Sequence, residues 1–164
     1  MEDDAKIGAH TPTVMKAILV QLRSTGYAWD IIRFGRSTAD PRGMVLPRDE
    51  QADVVAEFRC KQGKGTVTAS LITEVGSWTG AYALSPRALR LLTECGFGDC
   101  LINVDDFLYC CSHGSKHPRT DLYDVPAVRY ITERGGLVPV TVPFSVQKDV
   151  LSITMCDAAD ISDC

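Results

Sequence analysis

The 164-residue chain reads as an α+β domain, an antiparallel β-sandwich-like sheet core carrying two or so short helices. Three observations lead there. Two runs of alternating side chains, residues 53–60 and 65–75, flank a glycine-containing segment as the arms of a β-hairpin do. The other apolar runs are mostly of strand length and composition. Helix signals come late, at 85–96 and 125–134, and do not alternate with strands as the βα units of a parallel sheet would.

Residues 1–11, with Glu2, Asp3 and Asp4, are expected as a loose acidic arm. The run 14–22 is rich in strand formers, with Ile18, Val20 and Leu22 on one face and Gly26 soon after, and is read as the first strand. Trp29, Ile31, Ile32 and Phe34 form a second apolar group. A loop at 35–43 follows, placing Arg33, Arg36 and Arg42 near one another. In the hairpin, Val67, Ala69 and Leu71 share one face, while Thr66, Thr68, Ser70, Ile72 and Glu74 share the other. Gly63 and Gly65 suit its turn, and Arg59, Lys61 and Lys64 make the tip cationic.

Ser85 followed by Pro86 is an N-cap and first-turn pair, Ala88, Leu89, Leu91 and Leu92 make an apolar stripe, and Gly96 ends the helix. The run 101–111 alternates Ile102, Val104, Asp106, Leu108 and Cys110 against Leu101, Asn103, Asp105, Phe107 and Tyr109, which predicts a strand. A polar loop at 112–120 carries His113, Lys116, His117 and Arg119. Asp124 as N-cap, Pro126 and Gly135 frame a short helix at 125–134. Strands at 137–146 and 150–155 close the domain, and Pro139 and Pro143 place the first at an edge or a bulge. One domain over 12–156 and an acidic tail over 157–164 complete the division.

The net charge of −4 belongs to the ends. Taking Glu2, Asp3, Asp4, Asp157, Asp160 and Asp163 from the 21 acids leaves 15 against 17 Lys and Arg, so the body is slightly basic. Seven cysteines, an odd number with no cationic and apolar leader before them, predict reduced thiols in the cytosol or nucleus. No apolar run approaches the roughly 20 residues of a membrane span, so any membrane contact is expected to be peripheral.

Chemistry is sparse. Gly63, Lys64, Gly65 and Thr66 lack the spacing of a phosphate loop and precede a strand. Cys95, Cys100, Cys110, His113 and His117 are the ligand types that Zn²⁺ prefers, at spacings that favour core packing over a metal; a zinc-binding adaptor is the alternative they leave open. A cysteine-dependent enzyme using Cys111 with His113 is a weaker alternative. Asp105 and Asp106, on opposite faces of a strand, would not share an acid–base site. No cofactor and no catalytic residue is expected. The surface candidates for anionic lipid or RNA are Arg33, Arg36, Arg42, Arg59, Lys61, Lys64, Lys116 and Arg119.

Three stretches, in order, resemble one family. Pro12 to Met15, then Leu46, Pro47, Arg48, Asp49 and Glu50 before Asp53, then Val104 to Leu108 with Leu122 to Pro126, Arg129 and Tyr130, are similar to segments of the matrix proteins of bornaviruses and their nyavirus relatives, non-segmented negative-strand RNA viruses. The region 76–103 has no counterpart there. The resemblance implies a homo-oligomer on the inner face of a virion envelope, present also in host cytoplasm and nucleus. Its implied partners are anionic membrane lipids, the viral nucleoprotein or ribonucleoprotein, and single-stranded RNA.

Overall fold

A computed structural model describes residues 11–34, 53–62, 65–73, 81–112 and 117–142. The class is α+β, with one open five-stranded sheet among the described residues, in the order β2-β3-β5-β1-β4. Its strands are β1 (Ile31–Phe34), β2 (Val54–Gln62), β3 (Gly65–Ile72), β4 (Ala81–Leu84) and β5 (Pro139–Val142). Four α-helices accompany them: α1 (Thr11–Thr25), α2 (Pro86–Glu94), α3 (Val104–Cys111) and α4 (Pro126–Thr132).

The layering follows from the alternation of β1, which is buried on both faces. Ile32 and Phe34 join Val14, Ile18 and Leu22 of α1 in one core, together with Phe58, Leu71, Val140 and Val142. Ile31 points the other way, into a second core with Ala88 and Leu91 of α2, Phe107 and Leu108 of α3, and Val128 and Ile131 of α4. The sheet is therefore sandwiched between α1 and the α2–α4 layer. A strand with no solvent face usually reads as a continuous apolar run, which Arg33 interrupts in β1.

The expected hairpin forms. β2 and β3 pair antiparallel from Gln62↔Gly65 to Val54↔Ile72, with an irregularity between Val54 and Ala56. Thr73 N–H donates to Asp53 O at 3.1 Å and closes the open end. The expected α2 forms too. Ser85 Oγ accepts from Ala88 N–H at 3.1 Å, Pro86 occupies the first turn, and Gly96 stands at φ 73° just past the C-cap. The second late helix is α4, although Val125, not Asp124, is its N-cap and supplies no side-chain bond.

Two expected strands are helices. In α1 the apolar spacing that counts is Val14, Ile18 and Leu22, one residue per turn on a single face, whereas Val20 is 55% exposed. Gly26, at φ 69°, ends this helix; it does not prevent it. In α3, Asn103 caps the first turn through its side chain, accepting from Asp105 N–H at 2.8 Å, and Asp105 and Asp106 lie where the helix dipole favours acids. Phe107, Leu108, Cys110 and Cys111 are then buried together, which a strand would forbid. β5 is interior, parallel to β1 and antiparallel to β3, so the described sheet is mixed where a wholly antiparallel one was expected, and it packs on helices where a sandwich would pack on a second sheet; Pro139 does not mark an edge, and as the first residue of the strand it is tolerated. The expected strand at 150–155, the tail at 157–164 and most of the arm lie outside the described residues, and Thr11 begins α1. Among the described residues no helix is long and apolar enough to cross a membrane.

Candidate functional site

The outward face of the hairpin is the part of the expected cationic surface that the structure assembles. Along β2, Ala56, Phe58 and Cys60 are buried beneath α1, so Glu57, Arg59 and Lys61 project from the opposite face and are exposed. Arg59 stands opposite Thr68 and Lys61 opposite Thr66, both exposed threonines. Two cations two residues apart on a paired strand are held on one side of a fixed frame, with hydroxyl donors beside them. Such a face can meet phosphate oxygens by charge and hydrogen bond. β2 is also one of the two edge strands of the sheet among the described residues, and its exposed charges discourage edge-to-edge pairing there.

The other surface candidates separate. Arg119 is exposed and already paired, its Nη2 lying 2.7 Å from Asp121 Oδ2. That partner raises the Arg119 pKa and lowers that of Asp121. Arg36, Arg42, Lys64 and Lys116 lie outside the described residues. Arg33 is a correction: it is fully buried on β1, pointing into the α2–α4 layer, and cannot meet a lipid or RNA phosphate. Burial lowers its pKa to about 10, while the charge of Asp105 and the neighbouring Tyr109 and Cys111 act to raise it.

The zinc alternative does not gather either. Among the described residues no three His, Cys, Asp or Glu side chains come together to hold a metal. Cys95 Sγ donates to Leu92 O at 3.3 Å and Cys100 Sγ to Gly96 O at 3.7 Å. Cys110 lies against the Tyr123 hydroxyl, and burial pushes its thiol up to about 11. His117 Nδ1 accepts from Arg119 N–H at 3.1 Å, which leaves the ring proton on Nε2, 3.2 Å from Asp106 Oδ1. His113 lies outside the described residues. Cys111, proposed above as a nucleophile, is fully buried and its thiol is held far above the usual range by desolvation. A protonated, enclosed thiol is not a nucleophile at neutral pH.

One polar cluster has no counterpart in the reading of the sequence. Asp30, 4% exposed at the start of β1, accepts from Ser85 Oγ at 2.9 Å through Oδ1 and from Val138 N–H at 3.0 Å through Oδ2, and also pairs with Arg87. Arg87 further donates to Gly136 O at 3.1 Å and Arg134 O at 2.7 Å. On the same flank the Arg134 guanidinium lies 3.6 Å from the centre of the Tyr130 ring, and Tyr130 OH donates to Glu94 at 3.0 Å. These contacts tie β1, α2 and the α4–β5 connection together. The only sequence signal for Asp30 is an acid directly before an apolar run.

No protein-family model, no curated protein and no solved structure matches this chain.

Proposed function

We propose that the chain is a matrix-type protein: copies assemble beneath a virion envelope, bind its anionic lipid peripherally and link it to ribonucleoprotein, without catalysis. The observation that carries this reading is the cationic turn end of the hairpin face, Arg59 and Lys61 projecting together beside Thr66 and Thr68, with Glu57 one position further from the turn on the same face. The ordered resemblance of the segments near residues 12, 46 and 104–130 supports it. The structure gives two of these segments helical form, 12–15 within α1 and 104–108 at the start of α3, where the resemblance implied strands.

Energetics ties membrane binding to assembly. A Lys or Arg near an anionic surface contributes about 1 kcal/mol, so the few cations of one copy bind weakly. Joining copies turns later contacts into intramolecular ones and multiplies the affinity. Single-stranded RNA is the second polyanion in this reading, held by the same phosphate chemistry.

The test is the mass of the purified chain in solution, alone, with anionic vesicles and with single-stranded RNA. Assemblies that enlarge on vesicles or RNA and dissolve in high salt are expected. A monomer at every concentration that ignores both polyanions would overturn the reading.

A further inference from the structure

We propose that the outer face of α1 is the surface through which the chain lies on an anionic bilayer. The inner face of this helix buries Val14, Ile18 and Leu22 completely. On the opposite face Lys16, Leu19, Val20 and Arg23 are all exposed, Leu19 by 40% and Val20 by 55%. At 3.6 residues per turn these four fall within one arc of about 100°, centred opposite the buried stripe. Lys16 stands one turn before the aliphatic pair and Arg23 one turn after it. The 15 residues of α1 include no acid, so nothing on the helix itself offsets the two cations.

That arrangement selects its occupant. Two aliphatic side chains on a convex helix offer far less than the roughly 800 Å² per partner of a stable protein interface. A bilayer surface asks for something different. Aliphatic side chains sink into the boundary between headgroups and acyl chains, while Lys and Arg lay their stems along it and reach lipid phosphates with their heads. Charge complementarity then makes the lipid anionic.

This inference rests on the membrane half of the function proposed above and assigns it a surface. It also sets an orientation. Phe58 and Cys60 of β2 face α1, so Arg59 and Lys61 project from the other side of the sheet. With α1 on the lipid, the hairpin cations face away from it and are left to the second polyanion of that function, the RNA of the ribonucleoprotein.

The test is flotation of the full chain with vesicles of phosphatidylserine and phosphatidylcholine, or of phosphatidylcholine alone. Wild type and the charge control R90E/R129E are expected to float with the anionic vesicles only. K16E/R23E and L19S/V20S are expected to lose at least about tenfold in apparent affinity while melting near the wild-type temperature. In bound wild type, amide hydrogen exchange over 11–25 is expected to slow, a readout that needs no variant. Loss of binding in R59E/K61E with retention in both α1 variants, or unchanged exchange over 11–25, would overturn the α1 assignment and leave the membrane reading standing. Failure of wild type to float would end both.

Discussion

Asp30 shows how one side chain can join three elements. Its carboxylate accepts from Ser85, Val138 N–H and Arg87 while almost wholly buried, so removing it strands several donors at once. Asp30→Ala is expected to cost about 3 kcal/mol in urea unfolding, the scale for breaking a buried charge pair. Arg87→Ala is expected to cost less, because that side chain is 47% exposed and water can replace part of what it gives. The buried thiols give a second prediction. Unfolded cysteines ionise near 9.0, whereas Cys110 in the fold ionises at about 11 and Cys111 higher still. Above pH 9 the unfolded chain therefore releases protons that the folded chain keeps, and stability falls by about 1.4 kcal/mol per pH unit for each thiol. Arg33 acts in the opposite sense. Above about pH 10 the folded state gives up the Arg33 proton before the unfolded chain does, so the decline eases there. Urea midpoints from pH 7 to pH 10 check this, and a flat profile would contradict the enclosure of both thiols. Arg33 itself was illegible in the sequence as a core residue. Beside Ile31, Ile32 and Phe34 it follows the usual rule that arginine is exposed, and only the helix layer over β1 reverses that rule.

At the scale of elements, legibility followed local chemistry. The hairpin and α2 were readable because alternation, turn glycines, Ser85, Pro86 and Gly96 specify them without help from the rest of the chain. α1 and α3 were not, since a short apolar run fits a period of two or of 3.6 until its burial is known. The decisive feature of α3 is the Asn103 cap, and that of α1 is the four-residue spacing of Val14, Ile18 and Leu22. Misreading α1 also concealed its outer stripe of Lys16, Leu19, Val20 and Arg23, because strand alternation groups Val20 with Ile18 and Leu22. Two substitutions separate the readings. Ile18→Ala is expected to cost about 2–4 kcal/mol, the scale for emptying a core site, and Val20→Ala less than about 0.5 kcal/mol, as at an exposed position. Equal losses at both sites, measured by urea unfolding, would restore the strand.

For the whole molecule, the consequence of this architecture is two-sidedness. α1 covers one face of the sheet, the α2–α4 layer covers part of the other, and the hairpin leaves Arg59 and Lys61 in solvent beyond that layer. Of the expected cationic surface, this hairpin face was legible because period-two alternation sorts cations from core residues on a paired strand. How copies would meet in the proposed assembly was not legible, since an interface depends on surfaces brought together only by folding. If contacts with lipid gain strength from number, binding must depend steeply on protein concentration. The most direct measurement is a binding isotherm of the full chain on phosphatidylserine-containing vesicles, at low and high salt. A sigmoidal rise that moves to higher protein concentration as salt increases is the predicted result; a hyperbolic isotherm indifferent to salt, or no binding at all, would contradict assembly on an anionic membrane.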